Sequence, residues 1–339
     1  MARLRIAIIG MVHDHLWGVL EHLKNEDVDL VAAADPNPPL HDKVEREHRV
    51  RQHYSDYRDL LEKEKPDAAL CYTDNRTHAD VVEACAAAGV HVMCEKPMAD
   101  RLANAERMVQ AAEQAGIHLM INYPTTWGPA LQQAKRLVEQ GAIGQLCQLR
   151  MHSAHQGPKE IGCSEYFWGW LYDRERNGAG ALMDYCCYGC NQNAWFNGLP
   201  NSVVATWGRL HKDYIDVEDN AFILMNYDGC IGIAEASWTQ VGKQPIGGPT
   251  LNGSLGTIVC QGPDLWLATT EKPGGEVIVA PDPPPHWRNP AAYFVWCLNH
   301  DVAPEGPNSP KVCRDAQEIL EAGIISCEQG RRVELPLSG

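Results

Sequence analysis

At 339 residues, 45% apolar and 22% charged, with 29 glycines and 22 prolines spread through it, the chain has an ordinary globular composition long enough for two domains. Forty-four acidic against 29 basic residues leave a formal net charge of −15, which repels phosphate backbones and anionic lipid and so argues against nucleic-acid and membrane partners. Thirteen cysteines, an odd number, many inside apolar runs such as Leu70-Cys71-Tyr72, predict buried thiols in a reducing compartment and no disulfide framework. The lone Cys-x-x-Cys, Cys187 to Cys190, has no second pair at zinc spacing. No apolar run approaches the eighteen or so residues of a membrane span, and Met1-Ala2-Arg3 leads directly into a strand, so a cytoplasmic protein is expected.

From Leu4 to about Ile121, short apolar runs alternate with helical periodicity, the pattern of a parallel sheet covered by helices. Strands are predicted over residues 4–9, 29–34, 68–72, 90–94 and 118–121. Leu16, Val19, Leu20 and Leu23 recur at helical spacing between the first two. Helices over 77–88 and 100–115 stop at Gly89 and Gly116, as left-handed termini require. Pro129 opens a helix running to Gln140, and beyond Gly144 the pattern changes. Strands are predicted over 202–210, 220–227, 230–238, 257–261, 265–269 and 277–280, with Asp228-Gly229 as a hairpin turn. This half reads as an antiparallel sheet with few helices. A stiff surface stretch at 281–285 precedes closing helices at 291–299 and 314–329. The expected fold is α/β: a dinucleotide-binding Rossmann domain over 1–122, then an α/β domain over 123–339 with a large, mostly antiparallel open sheet.

After the first strand comes Gly10-Met11-Val12-His13-Asp14-His15, where a dinucleotide fold has Gly-x-Gly-x-x-Gly so that the backbone can approach a pyrophosphate. Only the first glycine is present. Asp14 brings a negative charge toward an anionic ligand, unless it serves as a helix cap. Asp35 ends the second strand where a carboxylate would accept from ribose hydroxyls and repel a 2′-phosphate, which favours NAD over NADP; a turn-forming role is the alternative. No metal is expected at His13, Asp14 and His15, because the positive end of a helix is a poor cation site.

The run Thr73-Asp74-Asn75-Arg76-Thr77-His78, then Gly89-Val90-His91-Val92-Met93-Cys94-Glu95-Lys96-Pro97, resembles the Gfo/Idh/MocA oxidoreductases, the family of glucose-fructose oxidoreductase and inositol dehydrogenase. Residues 178–189, Gly-Ala-Gly-Ala-Leu-Met-Asp-Tyr-Cys-Cys-Tyr-Gly, and the ending at 326–336 are similar to further segments of that family. Asp74 stands where proline is common, and Tyr188 replaces the usual histidine. The resemblance implies a Rossmann domain with the nicotinamide held against a second, open-sheet domain, and sugars, polyols or their derivatives as substrates. Gly10, Met11, Val12, His13 and Asp35 from the first loop and strand, with Thr73, Asn75, His78, Glu95, Lys96 and Asn122, are the expected cofactor contacts.

Oxidising a secondary alcohol needs a base for the hydroxyl proton and a positive charge where alkoxide develops. Lys96, at the carboxyl end of a strand, can supply the charge. Asp184 and Tyr188 are four apart on a predicted helix and project from one face. An adjacent ammonium favours a phenolate, so Tyr188 is assigned as proton acceptor, Lys96 as its activator and Asp184 as the orienter of substrate hydroxyls; Tyr188 and Lys96 exchange roles equally well on this reading. Tyr123, His152 and His155 are further substrate contacts if the topology holds. Trp168 is a ring for sugar stacking or a core residue, as is Trp170. A metal at His152, His155 and Glu160 matches no strong template. The reading is therefore a NAD-dependent dehydrogenase of a sugar, polyol or glycoside. A redox-assisted glycosidase or lyase, and a non-catalytic sensor of dinucleotide or sugar, are the alternatives. A homo-oligomer, dimer or tetramer, is expected through the second sheet.

Overall fold

A computed structural model describes residues 3–244 and 248–337; Met1, Ala2 and the last two residues of the expected second domain lie outside it. In the first half β1 (Leu4–Ile9), α1 (His15–Leu23), β2 (Val28–Ala34), α2 (Pro38–His48), β3 (His53–Tyr54) and α3 (Tyr57–Glu64) are followed by β4 (Ala68–Cys71), α4 (His78–Ala87), β5 (His91–Glu95), α5 (Leu102–Ala115) and β6 (Leu119–Asn122). All neighbours pair in parallel in the order β3-β2-β1-β4-β5-β6. Strand order reverses between β1 and β4, so a crevice opens there at the carboxyl ends of the strands, where such sheets take ligands. The five expected strands are present within two residues. The two-residue β3 carries no apolar run that could have announced it.

The second half contains α6 (Pro129–Glu139), β7 (Leu146–Ala154), α7 (Glu165–Leu171), α8 (Arg174–Asn177), α9 (Cys187–Asn197), β8 (Ser202–Gly208), β9 (Asn220–Tyr227) and β10 (Cys230–Ser237). Then come β11 (Thr250–Gly253), β12 (Gly256–Gln261), β13 (Asp264–Thr269), β14 (Glu276–Ile278), α10 (Pro290–His300), α11 (Pro310–Gln329) and β15 (Val333–Glu334). Nine strands form one sheet in the order β14-β13-β12-β11-β7-β10-β9-β8-β15, antiparallel except where β7 meets β10. The expectation of few helices in this half is corrected: α6 to α11 lie here, and α7 and α8 were not anticipated, α7 being a short aromatic-rich segment and α8 a single turn of polar residues, both too short to show a helical period.

Helices α9 and α11 cover one face of the second sheet, closing a core that includes Cys186, Cys190, Ile223, Met225, Ile319 and Leu320. The outward face of β8 to β10 shows Val204, Phe222, Leu224 and Ile231, each 41–49% exposed, as a contiguous apolar patch. Helix α10 returns to the first sheet: Tyr293, Phe294 and Val295 pack in the cluster formed by Ile6, Leu16 and Leu20.

Candidate active site

The crevice begins where β1 ends. Gly10 has φ +77°, and a Cβ there would lie 2.4 Å from Thr73 Cγ2 and 2.7 Å from the Thr73 amide nitrogen, so only glycine lets the β1 loop lie against the end of β4. A cleft of about 310 Å³ runs past Gly10, Val12, Asp35, Thr73 and Asp74, with Arg58 and Arg176 on its border. Asp35 is buried; its Oδ2 accepts from the Met11 amide at 2.6 Å and its Oδ1 from the Asn37 amide at 2.8 Å. The carboxylate thus clamps the loop while facing the cleft, and the turn role and the ligand-facing position coexist. This glycine cradle with a carboxylate at its edge fits an adenine dinucleotide.

The remaining cofactor candidates divide by burial. Met11 and His13 lie behind the loop, His13 packed against Phe167 at a ring separation of 4.3 Å and held neutral because burial pulls its pKa well down. Asn75 donates to Asn177 Oδ1 at 2.8 Å, and His78 Nδ1 meets the Met98 carbonyl at 3.2 Å, so both brace the wall from inside. Asp14 corrects both readings of it. Its side chain neither caps α1 nor points at the cleft but accepts from the amide and hydroxyl of Ser164, each at 2.7 Å, tying the first loop to the start of α7.

Lys96 immediately follows β5. Its Nζ donates to Asp184 Oδ1 at 2.7 Å and to the Asp184 carbonyl at 3.2 Å, and Trp238 Nε1 donates to Asp184 Oδ2 at 3.1 Å. Asp184 belongs to a π-helical turn, residues Leu182–Cys186, that runs into α9, not to a regular α-helix as predicted. Both members of the ion pair are buried. Burial opposes the Lys96 ammonium, yet Asp184 and Tyr188 outweigh it and hold its pKa well above the usual lysine range; burial likewise opposes the Asp184 carboxylate, and Lys96 lowers its pKa below the ordinary value. Glu95, fully buried, accepts from Asn122 Nδ2 at 2.8 Å and meets His15 Nδ1 at 2.9 Å, anchoring the backbone that delivers Lys96.

Tyr188 comes to the same spot, with Lys96 Nζ 4.9 Å from its ring centroid. The electrostatic expectation is corrected here. The ammonium lies over the ring and is hydrogen-bonded to Asp184, and burial pushes the phenol well above its usual pKa despite the opposing influence of Lys96. Tyr188 is a protonated hydroxyl at neutral pH.

Tyr188 also lines a second, wider cleft of about 770 Å³ at the carboxyl end of β7, the central strand of the nine-stranded sheet, together with Thr125, His152, Ser153, His155 and Tyr185. His152 is fully engaged, Nδ1 with Glu235 at 2.8 Å and Nε2 with Gln240 at 2.7 Å; the Glu235 bond raises its pKa. His155 accepts from the Gly157 amide at Nδ1, 2.8 Å away, and burial lowers its pKa, so the neutral ring presents Nε2–H as a donor. Thr125 and Ser153 were not anticipated. Their hydroxyls are buried at the cleft wall without partners among the described residues, a state costing about 1–3 kcal/mol each that an incoming hydroxyl would relieve. Hydroxyls are too common for a sequence signal, and Ser153 sits on β7, a strand the pattern did not reveal.

Tyr123 is buried behind Tyr188, ring to ring at 6.1 Å, and is not part of the cleft lining. Trp168 also falls outside that lining; it packs near Tyr172, with Lys159 Nζ 5.3 Å from its ring, so its side of the open choice is structural packing. Trp170 is core. His152, His155 and Glu160 do not assemble: Glu160 pairs with Lys212 at 2.7 Å.

A glycine-cradled cleft at the switch point of a parallel sheet, with a buried lysine after β5 packed against a tyrosine that lines a second cleft, is the architecture of a two-domain dinucleotide-dependent oxidoreductase. Residues 4–123 match the family model for the oxidoreductase family with an NAD-binding Rossmann fold, and residues 131–259 match the GFO/IDH/MocA C-terminal domain; the chain belongs to the Gfo/Idh/MocA family. It is 25% identical to D-apiose dehydrogenase of Paraburkholderia graminis over 95% of this chain and 86% of that protein. It is 24% identical to levoglucosan dehydrogenase of Pseudarthrobacter phenanthrenivorans over 67% of this chain, a match that spans 63% of that protein. The fold is shared with an oxidoreductase from Agrobacterium radiobacter solved with NAD+, L-tartaric acid and magnesium, at a TM-score of 0.82, 23% identity and 98% coverage of both chains. Among the described residues no helix is long and apolar enough to cross a membrane.

Proposed function

We propose that the protein interconverts a secondary alcohol of a sugar, polyol or glycoside with the corresponding carbonyl, using NAD. The observation that carries this reading is the buried Lys96–Asp184 pair packed against Tyr188, which itself lines a wide cleft with hydroxyl and imidazole donors, in a chain whose first sheet carries a glycine-cradled nucleotide cleft. NAD, when bound, supplies two-electron chemistry at the carbinol carbon. Gly10, Asp35 and Thr73 border its site. Lys96 places a fixed positive charge where the substrate oxygen becomes negative, and Asp184 keeps that charge oriented. Tyr188 holds or releases the hydroxyl proton. Thr125, Ser153 and His155 fix neighbouring hydroxyls. The relatives named as apiose and levoglucosan dehydrogenases support a carbohydrate substrate.

Because Lys96 and Tyr188 both have raised pKa values, both hold their protons at neutral pH. Oxidation needs one of them to accept a proton, so its kcat/KM should climb with pH well past neutrality, while carbonyl reduction, which needs the proton donated, should stay flat across neutrality and fall only at high pH. Screening sugars, polyols and glycosides by NADH absorbance, followed by pH profiles in both directions, tests this. An oxidation rate already level by pH 7, or no turnover of any such compound, contradicts it.

The Asp35 carboxylate at the cleft edge should favour NAD over NADP, although Arg58 and Arg176 place cations nearby. Fluorescence titration is expected to show tighter NAD binding, with Asp35→Ser narrowing the gap; tighter NADP binding by the unaltered protein would remove the ribose role from Asp35.

The apolar face of β8 to β10 supports assembly into a homo-oligomer, since four large side chains, each at least two-fifths exposed, form one patch. Light scattering at micromolar concentration should give a dimer or tetramer, and Phe222→Lys with Leu224→Lys should shift it toward monomer. A monomeric unaltered protein would contradict this.

A further inference from the structure

We infer that Cys71, His78 and Cys94 form a site for one thiophilic d10 cation, Cu(I), directly beneath the nucleotide cleft. Cys71 ends β4 and pairs in register with Cys94 on β5, so both sulfurs leave the same face of the sheet. His78 is the first residue of α4, which packs on that face. One ring nitrogen of His78 and the two sulfurs lie within 4.8 Å of one another, and all three residues are fully buried.

Two features distinguish this group from ordinary core packing. His78 Nδ1 is held by the Met98 carbonyl, while Nε2 is buried with no partner among the described residues, so the ring is fixed in the tautomer a metal ligand needs and its lone pair is unused. The donor set is also soft, two thiols and an imidazole, which selects Cu(I) or Zn(II) over hard cations. Coordination number decides between them. Zinc takes four ligands in structural sites, and full burial denies it a water as the fourth, whereas three soft donors suffice for Cu(I). Binding one Cu(I) to two thiolates displaces two protons and leaves the complex with a net charge of −1. The positive end of α4 at His78 favours such an anionic complex, where it would oppose a bare cation.

The site's place in the fold gives it a consequence. Thr73, two residues past Cys71, forms the wall against Gly10, and Lys96 is two residues past Cys94. A bound ion would cross-link the ends of β4 and β5 under both clefts.

The test uses the full chain, reduced and anaerobic, given one equivalent of Cu(I) buffered by a competing chelator. One Cu(I) per chain should be retained, X-ray absorption should show two sulfurs and one nitrogen around it, and the melting temperature should rise by a few degrees through mass action. Cys94→Ala and His78→Gln should each weaken retention at least a hundredfold, with Cys190→Ala, a buried cysteine outside the group, as the unchanged control. Sulfur-only coordination of the unaltered protein, retention unaffected by Cys94→Ala, or preferential four-coordinate binding of Zn(II) would each overturn the assignment. The spectroscopic result stands even if a variant fails to fold.

Discussion

Lys96→Met should lower turnover by about a hundredfold or more while leaving NAD affinity nearly unchanged, a typical loss for one preorganised charge that acts mainly in the transition state. Methionine keeps the length of the side chain but strands the buried Asp184 carboxylate, whose remaining hydrogen bond comes from Trp238. Removing one partner of a buried pair costs about 3–5 kcal/mol of stability, so lost activity alone would be ambiguous. The double variant Lys96→Met with Asp184→Asn removes the stranded charge and should recover much of the melting temperature without recovering turnover. Recovery of both would mean that Lys96 acts only as a structural partner. Normal turnover in the single variant would remove Lys96 from the chemistry altogether.

Gly10→Ala is expected to weaken NAD binding by tenfold or more and to lower the melting temperature. The added Cβ meets the backbone nitrogen of Thr73 at 2.7 Å, and φ +77° strains any L side chain, so the loop or the end of β4 must move. Gly18→Ala is the matched control. It lies within α1 with open space around its Cβ position, so alanine there should leave binding alone and add roughly 0.5–1 kcal/mol of helix stability. Calorimetric titration of NAD into both variants separates them, and equal affinity would show that the cradle is not where the dinucleotide approaches the backbone.

The first domain was legible because its strands are continuous apolar runs bounded by helix stops, and period and punctuation are local properties. Asp35 was legible from its place at the end of the second strand, and Lys96, Asp184 and Tyr188 as a set through family-like segments; the structure brings the last three together. What the sequence could not carry was direction and competition. Asp14 is indistinguishable in sequence from a helix cap, and only the fold brings Ser164, 150 residues away, within reach of its carboxylate. The phenolate reading of Tyr188 counted the ammonium and could not weigh burial, which turned out to dominate. Strand β7 alternates weakly, and its partner β10 runs parallel to it through a long connection, a pairing no hairpin signal announces. Ser153 and Thr125 became visible only as hydroxyls without partners.

The return of α10 to the first sheet makes the two halves of this chain inseparable as cassettes. Tyr293, Phe294 and Val295 complete the packing around Ile6, Leu16 and Leu20, although the whole nine-stranded sheet except β15 intervenes in sequence. A fragment ending after β6 would present that apolar surface to water, and a chimera that takes its nucleotide half from this protein must also take residues 290–300, so the border between exchangeable parts is a surface in space and not a position along the chain.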